Sequence, residues 1–118
     1  MHSLHRLGSR VGTRKIARFL STAPLRPIQF FEFETLVELQ QKATVAYTTN
    51  PMFGTVVDKA YHWTTYAEFD VEVAKARIAY SQLHVRKDDK VALISNNRIE
   101  WAITQYAVAG LGGQIIPM

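Results

Sequence analysis

The 118-residue chain contains no cysteine, which excludes disulfides, thiolate metal ligands and thiol nucleophiles together. Proline is scarce, at four residues, while hydrophobic residues make up 47%. That balance places the chain with globular proteins and not with disordered ones. Histidine is equally scarce: His2, His5, His62 and His84 fall in different segments, none beside a carboxylate at metal-ligand spacing, so no metal site is expected. A chain this short holds one domain at most.

Acidic residues are missing from positions 1–31, where Arg6, Arg10, Arg14, Lys15, Arg18 and Arg26 supply six positive charges. The remainder carries eight basic and ten acidic residues, so the basic character belongs to the leader. On a helix, Arg6, Arg10, Arg14 and Arg18 form one cationic stripe while Leu4, Leu7 and Val11 gather on another face. With Ser3, Ser9, Thr13, Ser21 and Thr22 this is the composition of a mitochondrial transit peptide. A secretory signal needs an unbroken apolar run of roughly seven or more residues, and Lys15 and Arg18 interrupt the apolar stretch here. A nucleic-acid-binding arm would sit on a basic domain, whereas this one is slightly acidic, so no nucleic-acid partner is expected. A solvated basic tail without an address is the plain alternative. Residues 1–20 are expected to be a mitochondrial leader, with processing near Leu20, and residues 21–33, holding Pro24 and Pro27, a linker.

Residues 34–118 are expected to fold. Leu36, Leu39, Ala43 and Ala46 recur at spacings of three and four, which predicts a helix over 34–48, stopped by Asn50-Pro51. Two β-rich runs, 53–57 and 61–65, flank Asp58-Lys59-Ala60 and predict a hairpin, although its turn lacks glycine. Thr65-Tyr66-Ala67-Glu68 fits a capping box. A helix follows it, with Tyr66, Phe69, Val73, Ala76, Tyr80 and Leu83 on one face, far more often core than a ligand platform. The uninterrupted run Val91-Ala92-Leu93-Ile94 predicts a strand over 90–95 buried on both faces. Asn96 or Asn97 is placed to cap a helix over 98–109, apolar nearly all round and expected to be deeply buried. A strand begins at Gln114, parallel to the strand over 90–95 by the right-handed crossover rule.

The glycines decide against a dinucleotide site. A phosphate-binding turn would lie between strand and helix, where this chain has Ser95-Asn96-Asn97. Gly110, Gly112 and Gly113 stand at the helix's far end and read as a C-cap. Residues 101–118 carry no charge, yet Thr104, Gln105, Gln114, three glycines and Pro117 break the run, so no transmembrane span is expected.

The stretch from Trp63-Thr64-Thr65-Tyr66-Ala67-Glu68-Phe69, through Asp89-Lys90-Val91-Ala92-Leu93-Ile94 and Asn97-Arg98-Ile99-Glu100-Trp101, to Ala109-Gly110-Leu111-Gly112-Gly113-Gln114-Ile115-Ile116-Pro117 resembles, as an ordered set, the opening of an AMP-forming acyl-CoA synthetase of the adenylate-forming superfamily. Asn50-Pro51-Met52-Phe53-Gly54 and the Asn-Arg-x-Glu-Trp form look more like its long-chain fatty-acid branch than the medium-chain one. The resemblance implies an α/β fold, here the truncated N-terminal part of an adenylate-forming domain: helix, hairpin, helix and one parallel βαβ unit, preceded by the basic leader. It also implies a ligase that joins a fatty acid to coenzyme A through an acyl-adenylate, with ATP, Mg²⁺ and CoA as cofactors of the full-length member. The catalytic segments of that family are a Ser/Thr/Gly-rich loop with lysine, a Tyr-Gly-x-Thr-Glu segment, a ribose-binding aspartate and a lysine of a small C-terminal domain. None has a counterpart in these residues. No catalytic, cofactor-binding or metal-binding residue is therefore assigned, this chain alone is expected to be inactive, and its missing partner is the remainder of its own domain. A small non-catalytic α/β interaction module is the competing reading, and the bare Ile115-Ile116 strand argues against it.

Overall fold

The computed structural model describes residues 27–118, and the expected leader over 1–20 lies outside them. Residues 27–33, the described end of the expected linker, form neither helix nor strand. The elements then run α1 (Leu36–Tyr47), β1 (Pro51–Val57), β2 (Ala60–Thr65), α2 (Tyr66–Gln82), β3 (Lys90–Leu93), α3 (Ile99–Ala109) and β4 (Gln114–Pro117). This is the mixed α/β arrangement expected from the sequence.

Helix α1 starts at Thr35, whose hydroxyl accepts from the Glu38 N–H at 3.1 Å. Glu38 in turn accepts from the Glu34 N–H and pairs with Lys42 at 2.7 Å. β1 and β2 form an antiparallel hairpin in which Val57 pairs with Ala60, so only Asp58 and Lys59 make the turn. Both have left-handed φ values, 51° and 63°. That is the geometry a two-residue hairpin turn demands, met here without glycine. The glycine is instead in the strand: Gly54 faces Trp63, and a Cβ at position 54 would stand 2.9 Å from Trp63 Cζ3. The indole lies over the bare backbone and supplies the packing that glycine lacks.

The capping box at α2 is complete. The Thr65 hydroxyl accepts from the Glu68 N–H, and the Glu68 carboxylate accepts from the Thr65 N–H at 2.8 Å and from its hydroxyl at 2.9 Å. These bonds, the backbone one first, hold the Glu68 carboxyl below the ordinary value near 4.5, because they favour the charged form. Glu68 therefore stabilises the fold above its unfolded pKa, and the contribution disappears as pH falls through the lower folded value. We expect Thr65→Ala to cost about 1 kcal/mol and Glu68→Gln to flatten the acid limb of stability. Urea midpoints measured from neutral pH downward check both; a Gln variant with an unchanged acid limb contradicts this role.

The core lies between α2 and α3. Phe69, Val73, Ala107 and Val108 are fully buried. Phe69 meets Phe53 of β1 at 5.1 Å and Tyr106 of α3 edge-on at 5.9 Å, so one ring joins hairpin and both helices. Tyr80 and Thr104 share a hydrogen bond at 3.3 Å between α2 and α3. α1 is tied to α2 by Gln40, which is buried and donates to Asp70. Leu83, expected on the buried stripe, is 72% exposed. The helix ends before it: His84 takes a left-handed φ of 64°, and the His84 and Val85 N–H groups bond back to Ser81 and Tyr80, a Schellman closure that turns the chain away at Leu83.

β3 and β4 are parallel, with Lys90 opposite Gln114 and Leu93 opposite Pro117. The expected burial on both faces is corrected: Val91 and Leu93 are half-buried, Lys90 and Ala92 are exposed, and Ile94 lies beyond the strand at 76% exposure. The alternation is that of a sheet covered on one face. α3 is likewise half-buried along most of its length, with only Ala107 and Val108 fully enclosed. Its N-cap is Arg98, with no side-chain cap bond, so neither Asn96 nor Asn97 caps it as expected. Among the described residues no helix is long and apolar enough to cross a membrane.

Candidate functional site

The glycines expected to end α3 do so, with one refinement. Gly110 has ordinary right-handed φ, whereas Gly112 has φ of 76°. The Gly112 N–H donates to the Ala109 carbonyl and the Gly113 N–H to the Val108 carbonyl, each at 3.0 Å; the Gly110 N–H donates to Tyr106. A phosphate cradle works by pointing free N–H groups at the anion, and all three here are spent on the helix end. A Cβ at Gly113 would sit 2.8 Å from Val108 Cγ1, so the missing side chain makes room for packing.

The β3–α3 junction, where a nucleotide-binding turn would stand, contains no glycine, and Ser95 there donates to the neighbouring Asn96 carbonyl. Among the described residues no group of three or more His, Asp or Glu side chains could hold a metal ion. The glycine N–H groups at the end of α3 therefore leave no free donor there for the phosphates of ATP.

One cleft touches the start of α3. It measures about 450 Å³ and is formed by Phe53, Gly54, Thr55 and Val56 of β1 facing Asn97, Arg98, Ile99 and Glu100. Phe53-Gly54 and Asn97-Arg98-Ile99-Glu100 belong to the motifs quoted above, yet nothing in the sequence joins them as a site: the walls are some forty positions apart, and Phe69 bridges β1 and α3 through Phe53 and Tyr106. Its charged pair, Arg98 and Glu100, is joined at 2.9 Å and is mostly exposed, so the pair is worth little and leaves no unmet charge in the cleft. The arrangement offers shape and an apolar wall at Phe53, Val56 and Ile99, and its one carboxylate, Glu100, is engaged by Arg98.

What the chain is must therefore be read from its order of elements. The sequence pattern of the AMP-binding enzyme family matches residues 38–118, from the first turn of α1 through β4. The chain belongs to the AMP-binding enzyme family. Solved structures share its fold. The protein IdnL1 superposes with a TM-score of 0.67 at 17% identity over 75% of this chain. A Mycobacterium tuberculosis fatty acyl CoA synthetase gives 0.59 at 20% over 70%, and the inhibitor-bound N-terminal domain of FACL13 from Mycobacterium tuberculosis gives 0.62 at 20% over 73%. This AMP-binding family chain spans only 18%, 16% and 21% of those three chains. No curated protein matches it.

Within the AMP-binding family chain, then, the described residues build a packing unit. Phe69, Val73, Ala107 and Val108 hold α2 against α3, α3 lies against β4, and the β1–β2 hairpin packs on α2.

Proposed function

We propose that this chain is the N-terminal portion of an AMP-forming acyl-CoA synthetase acting on long-chain fatty acids. The reaction class is ligation: ATP activates the carboxylate as an acyl-adenylate with loss of pyrophosphate, and the CoA thiol then displaces AMP. Adenylation matters because it converts a carboxylate oxygen, a poor leaving group, into a phosphate ester that departs readily. The observation that carries the reading is the family match over 38–118, running through the ordered motif set from Thr65 to Pro117. The Asn-Arg-x-Glu-Trp form at 97–101 supports the long-chain branch. Residues of this chain contribute packing, with ATP, Mg²⁺ and CoA held by the rest of the enzyme. The test is thioester formation by a longer polypeptide carrying this segment across a series of acyl lengths. Preference for palmitate over octanoate supports the reading, and the reverse order makes it a medium-chain enzyme.

We further propose a mitochondrial location, supported by the acid-free, arginine-periodic residues 1–20. A reporter fused after residue 33 should be imported and shortened near Leu20, and replacing Arg6, Arg10, Arg14 and Arg18 by alanine should abolish import. N-terminal sequencing of the native protein reads the outcome; an intact Met1 on the mature form contradicts processing.

A further inference from the structure

A second cleft, of about 400 Å³, opens between β2 and the first turns of α2, walled by Trp63, Thr64, Glu68, Val71 and Glu72. On the strand side the Trp63 indole rests on Gly54, where a Cβ would stand 2.9 Å from Cζ3, and the Tyr61 ring is stacked beside it at 5.8 Å with an interplanar angle of 20°. Trp63 is nevertheless 43% exposed and Tyr61 61%, an aromatic surface in water that the packing of the fold leaves unused. On the helix side stand two carboxylates, and among the described residues none that walls the cleft is basic. Glu68 commits Oε2 to the Thr65 N–H and hydroxyl, and Glu72 commits Oε1 to Lys75 Nζ at 2.7 Å. The other oxygen of each accepts no bond from a described residue.

We infer that this cleft takes an arginine side chain from a basic peptide segment of a partner protein, with the guanidinium stacked on the Trp63 indole and its N–H groups donated to Glu68 and Glu72. Charge complementarity selects a cation: an indole face attracts positive charge, and the two carboxylates oppose it across the cleft. Shape selects among cations. A planar guanidinium lies flat on a single ring and carries a fork of donors that two carboxylates can share, whereas a lysine ammonium is a compact, strongly hydrated point charge. A quaternary ammonium is held best inside a cage of several rings, and here one indole has one neighbour. Val71, half exposed on the same wall, offers the arginine stem an apolar surface. A wall this open suits a side chain held out by another chain, because a free small ligand would stay largely in water.

The inference concerns a surface and not turnover, so it is independent of the proposed ligase activity. Its test is titration of the full 118-residue chain with a fluorescein-labelled peptide, Gly-Ala-Arg-Ala-Ala-Arg-Ala-Gly, followed by fluorescence anisotropy. The peptide should bind at low salt and be released as salt rises. Replacing its arginines by citrulline, which keeps the shape and loses the charge, should weaken binding by about tenfold, and replacing them by lysine by about threefold. Trp63→Leu, which keeps apolar bulk over Gly54, should weaken it by about tenfold, and Glu72→Gln by about threefold. Lys75→Ala should tighten it by about twofold, because Lys75 competes for Glu72; a merely structural role for these exposed side chains would not produce that gain. Far-ultraviolet dichroism should be unchanged in the Glu72 and Lys75 variants, so they test the site even if Trp63→Leu disturbs the hairpin. No binding, equal binding of the citrulline peptide, or affinity indifferent to both Glu72→Gln and Lys75→Ala would each overturn the inference. So would N-acetylarginine amide binding as tightly as the peptide, self-association of the chain that Trp63→Leu abolishes, or peptide binding that appears only once residues 1–20 are removed.

Discussion

Phe69→Ala should destabilise the chain by about 3–5 kcal/mol, the range for truncating a fully enclosed phenylalanine. The cost is high here because one ring serves three elements. It stands on α2, contacts Phe53 of β1 at 5.1 Å and meets Tyr106 of α3 at 5.9 Å. The hole left behind cannot be filled from Val73 or Val108, which are already enclosed. A domain has only about 5–15 kcal/mol of stability in total, and a fold with so few enclosed side chains sits toward the bottom of that range, so the variant should be largely unfolded at room temperature. Urea unfolding followed by far-ultraviolet dichroism measures this. Leu83→Ala is the matched control: lying on the same sequence stripe but 72% exposed, it should change stability by no more than about 0.5 kcal/mol. Equal losses in the two variants would mean that the stripe is buried to its end, contrary to the Schellman closure at His84.

That pair of residues also shows how far the sequence could be read. Periodicity identified the inward face of α2 because Phe69 and Val73 repeat with the helix. It could not tell where the packing partner stops, and so included Leu83. The Thr65–Glu68 box was legible because both of its bonds are local. So was the parallel pairing of β3 with β4, since a strand, a helix and a strand at this spacing have one favoured handedness. Three features were hidden. The hairpin at Asp58-Lys59-Ala60 was legible, but not the left-handed conformation of Asp58 and Lys59 in its turn, which glycine or asparagine would have announced. The cap of α3 fell to Arg98 although two asparagines precede it, because a capping preference does not decide which residue leaves the helix. The cleft between β1 and the start of α3 depends on tertiary approach alone, and its residues carry no distinguishing chemistry. The all-apolar run at 91–94 and the apolar α3 were read as deeply buried. The described residues cover one face of β3 and leave α3 half-buried along most of its length, with Ile94 and Ile116 exposed, which predicts poor solubility for this chain by itself.

The second large effect is on activity. The purified 118-residue chain should form no acyl-CoA from ATP, a fatty acid and CoA above the uncatalysed background. The reason is physical as well as a matter of family resemblance. Phosphoryl-group chemistry needs preorganised donors or cations aimed at developing negative charge, and the candidate donors here, the N–H groups of Gly110, Gly112 and Gly113, are each bonded to a carbonyl at the end of α3. Arg98, the cation at the start of that helix, is paired with Glu100. Measurable ATP-dependent thioester formation by homogeneous material would contradict this directly, and would mean that the described residues contain a site that their geometry does not suggest.

The measurement that bears most directly on the whole account is fatty-acid-dependent exchange of labelled pyrophosphate into ATP. It should be run side by side on this chain and on a longer polypeptide in which residues 38–118 are followed by a Ser/Thr/Gly-rich loop with lysine. Exchange reports the adenylation half-reaction alone and needs no CoA. The account predicts exchange that requires palmitate in the longer polypeptide and none in the 118-residue chain. Exchange that ignores the fatty acid, or that requires an unrelated carboxylate, would contradict the proposed place of this chain in a long-chain acyl-CoA synthetase.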